Sequence, residues 1–156
     1  MNLPTLIYRH KRENLRKCSL RGLETRSDLR FFTYPVQALP PLEQYIVLKV
    51  GAPPLSLSDQ NRGLLLIDAT WRLAEIMFKH LPLRIEERSL PSGYKTAYPR
   101  RQTECPDPSA GLASVEALYL AHLHLNKSTE GLLDHYFWKE QFLLAVQGVQ
   151  HQQSAR

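Results

Sequence analysis

Leu64-Leu65-Leu66-Ile67 is an unbroken apolar run that ends in an acid, Asp68, and reaches an indole, Trp71, three residues later. A strand with one wet face alternates apolar and polar residues. A continuous run is the pattern of a strand buried on both faces, as in a parallel sheet covered by helices. No other feature constrains the fold as much, because each face of such a strand needs its own covering layer. The period changes directly afterwards. Trp71, Ala74, Met77, Phe78 and Leu81 recur at helical spacing, Pro82 closes the helix, and Asp68 or Thr70 can cap its start.

Other segments fit the same class. Thr5–Arg9, Phe31–Tyr34 and Tyr45–Val50 are short, β-branched or aromatic stretches bounded by charge clusters, Pro35, Gly51 and the Pro53-Pro54 pair, so each predicts a strand. Ser56-Leu-Ser58-Asp59 predicts a helix entry with little room before Gly63. Ser114 predicts the cap of a helix over Val115–Leu125, apolar on nearly every side and therefore central. Ser128 or Thr129 predicts the opening of a last helix running to about Val149. Residues 82–111 are punctuated by proline and glycine, a pattern of functional loops. Early strands followed by helices predict a three-layer α/β domain with a partly parallel sheet. In such sheets ligands bind beyond the carboxyl ends of the strands, which makes Asp68 and Trp71 the candidate rim of a site.

At 156 residues and 43% hydrophobic composition the chain can bury one sizeable core. It has no run long enough for a membrane span and no apolar leader, and its two cysteines form neither a disulfide framework nor a metal signature, so a cytoplasmic protein is expected. The net charge of +5 is concentrated at one end. Residues 1–30 carry eight cations (Arg9, Lys11, Arg12, Arg16, Lys17, Arg21, Arg26, Arg30) against three acids (Glu13, Glu24, Asp28), which alone gives 8 − 3 = +5. A basic end on a neutral body is the footprint of a polyanion binder or an ordinary solvated surface.

Nucleotide-binding glycine motifs, a P-loop, a serine-hydrolase elbow and paired metal ligands are all missing. His122 and His124 stand two apart on a helix and face different sides, so packing or surface roles suit them better than metal ligation. Asp68 can act as a general base, a cation partner or a helix cap, the cap being the plainer role. Trp71 is a core residue or a cofactor wall whose π-face attracts a cation such as a sulfonium. Thr5 has no assigned role, and Thr5→Ala is expected to change neither stability nor ligand binding.

Four short blocks, in order over about residues 14–121, carry a resemblance to a known family. Asn14-Leu-Arg-Lys17-Cys18-Ser19 followed by Leu23 resembles its D-x-K-K-C-[ST] segment, and Leu55–Asp59 its L-S-P-x-D turn. Leu66-Ile-Asp68-Ala-Thr-Trp71 with Ala74 resembles V-D-C-S-W and is also a variant of D-T-W. Arg88-Ser-Leu90-Pro91, then Leu112-Ala-Ser114-Val-Glu116-Ala117, resembles R-x-L-P and L-S-[ST]-x-E-A. The family is that of the RNA aminocarboxypropyltransferases of small-subunit rRNA, related to the DTW-domain tRNA-uridine enzymes. The chain departs from it at Asn14, at Thr96-Ala-Tyr98-Pro99-Arg100-Arg101, and in an insertion over 102–109.

The resemblance implies a SPOUT-like three-layer domain with a C-terminal trefoil knot and a small N-terminal α+β part. Residues 1–50 would form the basic part serving RNA and cofactor, and 51–150 the cofactor-binding part. It implies S-adenosylmethionine as cofactor, no metal, an rRNA or tRNA partner, and a monomer or homodimer. The activity implied is transfer of the 3-amino-3-carboxypropyl group to N3 of a uridine or pseudouridine. By the same resemblance Trp71 and Ala74 would wall off the cofactor methyl, and Ser19 would bond its carboxylate. Leu90, Leu112, Ala113 and Ser114 would line the adenosine site, and Asp68 would take the N3 proton. Lys11, Arg12, Arg16, Lys17, Arg100 and Arg101 are candidate RNA contacts, the last two beside Tyr94 and Tyr98 as stacking surface. A SPOUT-type RNA methyltransferase, or a non-enzymatic RNA-binding or ribosome-assembly factor with a degenerate pocket, fits the same fold and charge.

Overall fold

A computed structural model describes residues 3–15, 18–98 and 111–154. The expectations for Arg16, Lys17, Arg100 and Arg101 fall outside the described residues.

The apolar run forms β4 (Gly63–Asp68), buried along its whole length. It sits at the middle of a five-stranded parallel sheet with β1 (Thr5–His10), β2 (Leu29–Tyr34), β3 (Tyr45–Leu48) and β5 (Glu86–Arg88), in the order β2-β1-β4-β3-β5. The strands of residues 1–50 are therefore paired in one sheet with those that follow, β1 directly on β4.

Alternation along the strands sorts two cores. Ile7, Ile46, Leu64 and Leu66 face one way and pack with α2 (Ser114–His124) and α3 (Lys139–Ser154). Leu6, Val47, Leu65 and Ile67 face the other way and pack with Met77 of α1 (Trp71–Lys79). Helices on both faces give the three layers expected. Leu64, Leu65 and Ile46 are wholly buried, and each such side chain stabilises the fold by about 1.5–3 kcal/mol before chain entropy.

Several local expectations are corrected. The Ser56–Asp59 entry opens no α-helix, although Ser56 stands in the cap position of a shorter turn. Leu57–Asp59 is a single 3₁₀ turn, closed by Asp59 Oδ2 accepting from Ser56 N at 3.1 Å. The N-cap of α2 is Ala113, not Ser114. The last helix begins at Lys139, about ten residues later than expected, because residues 126–138 wind through turns with Asn126 (φ 56°) and Gly131 (φ 77°) in the left-handed region. The charged triplet Glu86-Glu87-Arg88 gave no strand signal, yet it pairs with β3 at the sheet edge, where one wet side tolerates charge.

Thr5 is not the inert control expected. Its hydroxyl lies 2.8 Å from Nε2 of buried His122, whose Nδ1 lies 2.8 Å from the Ser128 carbonyl oxygen. The carbonyl only accepts, so Nδ1 carries the proton and Thr5 donates to Nε2. Burial, against smaller opposing effects of the Ser128 carbonyl and Asp28, lowers the His122 pKa from the ordinary 6.5. The folded state thus favours neutral imidazole, while the unfolded chain takes up a proton near 6.5. This contribution is complete above about pH 6.5 and is lost as pH falls through the folded value. His10 and His124 shift the same way. The melting temperature should therefore fall between pH 7.5 and 5.5, and His122→Gln should flatten that slope. An unchanged slope would remove His122 from the linkage.

Candidate functional site

β1 leads away toward β2, and β4 leads across the sheet toward β5. The crevice between the carboxyl ends of these adjacent strands is thus a topological switch point, where ligands of α/β sheets bind. Arg9 and Asp68 are register partners there. Each lies two residues beyond a side chain of the α2–α3 core, so both point to that face.

Asp68 is 2% exposed and collects three donors. Arg9 Nε donates to Oδ2 at 2.9 Å, Cys18 Sγ to Oδ2 at 3.3 Å, and Ser114 Oγ to Oδ1 at 2.7 Å. Arg9 also reaches Cys18 Sγ at 3.4 Å and stacks its guanidinium 4.9 Å above the Phe31 ring. Burial first, and then the Asp68 charge, push the Cys18 thiol up to about 12, so it stays protonated and donates. The helix-cap role is corrected: α1 begins at Trp71 with Thr70 in the N-cap position. Of the three roles the residue type allows, cation partner is the one the geometry displays.

Ser19 follows Cys18 and accepts from Val115 N, in the first turn of α2, at 3.0 Å. Ser114 in the same turn reaches Asp68, so the positive end of α2 stands at the same crevice. Beneath it lies Glu116, wholly buried. Its Oε1 accepts from Thr96 Oγ1 (2.6 Å) and Ala113 N (2.8 Å), and its Oε2 from Ala97 N (2.8 Å) and Tyr136 Oη (3.0 Å). One carboxylate thus joins the start of α2, the 96–98 segment and the chain leading to α3.

The expected site residues divide into groups. Ser19, Asp68, Ala113 and Ser114 meet in this bonded cluster. Leu90 and Leu112 are half-buried against the same α2–α3 core. Ala74 is half-buried against the opposite core, and Trp71 stands 38% exposed at the head of α1. Lys11 and Arg12 are exposed just past the end of β1, on the same edge of the sheet as Asp68.

Sequence reasoning assigned no role to Arg9, Cys18 or Glu116. Arg9 read as one cation among eight. A glutamate at the third helical position, reaching back to the N-cap amide, is half of a capping box, and this was the available signal for Glu116. Among the described residues no cluster of three or more histidines, cysteines and acids is placed to hold a metal ion, and no helix is long and apolar enough to cross a membrane.

No family model and no curated protein matches the chain. Among solved structures, the fold is similar to that of the SAM-dependent rRNA:acp-transferase Tsr3 from Vulcanisaeta distributa, with a TM-score of 0.71 and 24% sequence identity over 96% of this chain and 81% of that one.

Proposed function

We propose that the protein is an S-adenosylmethionine-dependent transferase that moves the 3-amino-3-carboxypropyl group to N3 of a uridine or pseudouridine in RNA, with rRNA the favoured substrate. The observation that carries this reading is the chain-long likeness to the Vulcanisaeta distributa structure. The four sequence blocks converge on the same reading, and three of them supply the bonded cluster at the switch point. A C-terminal trefoil knot belongs to the same proposal, supported by the parallel sheet and that likeness.

The residues present suit the cofactor. The Ser19 hydroxyl accepts from Val115 N, so its own O–H is the half that donates to a carboxylate, beside the positive end of α2. Leu90 and Leu112 offer apolar side chains for adenosine, Ala113 and Ser114 offer backbone groups, and the exposed Trp71 offers a π-face for a sulfonium. Bound there, S-adenosylmethionine supplies an electrophilic carbon next to its sulfonium. The chain would hide the methyl behind Trp71 and Ala74 and orient the γ-carbon toward the base, so that N3 would gain the carbon as its bond to sulfur breaks and methylthioadenosine leaves, which is catalysis by positioning. A carboxylate has about four acceptor sites, and Asp68 uses three. In this reading the fourth receives the uracil N3 proton, while Arg9 and Ser114 hold the group in place.

Incubation with RNA and cofactor labelled separately in the carboxyl and the methyl group tests the proposal. Carboxyl label in RNA supports it, and methyl label alone would make the protein a methyltransferase. Trp71→Ala should weaken cofactor binding by roughly two- to thirtyfold, the value of about 0.5–2 kcal/mol for a cation on a ring, with the fold intact. An unchanged dissociation constant in calorimetry would take Trp71 out of the site.

A further inference from the structure

The 18–21 segment and residues 135–138 enclose a cleft of about 170 Å³, lined among others by Ser19, Arg21, Tyr98, His135, Phe137 and Trp138. Phe137 is 82% exposed although it lines this cleft. It packs edge-on against Trp138, with ring centroids 4.8 Å apart at 81°, and Trp138 is anchored in the α2–α3 core. Tyr136, bonded to Glu116, pins the segment from below. Opposite, Gly22 at φ 93° lets the 18–22 turn lie flat on His135, since a Cβ there would come within 2.5 Å of the imidazole. The platform is thus fixed from both sides. A cavity of about 150 Å³ accepts one benzene ring, so the cleft has room for a single planar base. Its lining includes the cationic residue Arg21. Aromatic faces with a cation are the chemistry of single-stranded nucleic acid binding.

We propose that this cleft holds an unpaired base of the RNA substrate, flanking the modified nucleotide, stacked on Phe137 with Arg21 toward its phosphate. Ser19 is shared between the cleft and the crevice at Asp68 and Ser114, which sets the flanking base beside the reacting one. The inference rests on the RNA-directed reading above. It is tested by titrating wild type and Phe137→Ala with a single-stranded rRNA-derived oligonucleotide at several salt concentrations, with Phe137→Trp as the conservative variant. Loss of one stacked base weakens binding by about five- to 150-fold. The salt slope should stay unchanged, because no charge is removed, the tryptophan variant should restore affinity, and cofactor binding should be untouched. Equal RNA affinity of wild type and Phe137→Ala overturns the inference alone. So does a change in sedimentation of the free protein without a change in RNA affinity, which would mark the ring as a protein contact. A wild type that binds no RNA overturns the underlying reading with it.

Discussion

Asp68→Asn is expected to lower the unfolding free energy by about 3–5 kcal/mol, the cost of stranding one partner of a buried ion pair. The side chains of Arg9 and Asp68 are 10% and 3% exposed, and their atoms lie 2.9 Å apart. Arginine cannot shed its charge, so an asparagine at position 68 leaves a buried guanidinium without its bonded carboxylate. The result should show as a lower urea midpoint with an unchanged slope. The second replacement, Arg9→Leu in the Asp68→Asn background, should recover much of the loss, because it removes the orphaned charge. A contrasting pair sits at the surface. Arg26 and Asp28 approach to 2.8 Å but are 22% and 37% exposed, and Asp28→Asn should cost about 1 kcal/mol or less. If Asp68→Asn proves as mild as Asp28→Asn, the ion pair does not organise the site. A base role adds a second signature: turnover per folded molecule should fall while cofactor affinity is kept.

Glu116→Ala is expected to cost more than about 4 kcal/mol, enough to unfold a domain of ordinary stability at 37 °C. Four donors converge on this wholly buried carboxylate, two of them backbone amides. Each buried donor left without an acceptor costs about 1–3 kcal/mol. Glu116→Gln is the informative partner. The Thr96 and Tyr136 hydroxyls can rotate to accept from its amide, but Ala97 N and Ala113 N cannot. These two amides address different oxygens, so either orientation of the glutamine leaves one backbone N–H facing an NH₂ group. Glutamine should therefore lie between wild type and alanine in chemical denaturation. Hydrogen exchange should show protection weakened at Ala97 or Ala113. Full stability of the glutamine variant would mean that water or another acceptor serves these amides.

Arg9 and Glu116 show where reading along the chain stops. The run Leu64–Ile67 announced a strand buried on both faces, because continuous apolarity is legible without knowing the neighbours, and β4 is that strand. The helix over 114–124 was legible for the same reason. Asp68 was legible as the acid at the end of that strand, whereas site roles for Ser19 and Ser114 came only through short motif blocks. Arg9 had no such block, since its partner lies 59 residues away and its charge was lost in a basic stretch. The late start of α3 escaped because polar residues at 128–130 imitate a helix cap, whereas the turns that follow are fixed by contacts such as Arg26 Nη1 donating to the Glu130 carbonyl at 2.6 Å.

Apolar periodicity along the chain was enough to announce a central parallel strand, the helices that must cover it, and the end of that strand where an acid would stand. What the acid touches is set by the packing of distant segments. Periodicity records whether a side chain is buried, while the register of β1 against β4 and the docking of α2 decide its neighbours. Those choices bring Arg9, Cys18 and Ser114 onto one carboxylate, and they turn the expected helix cap into the anchor of a buried polar cluster.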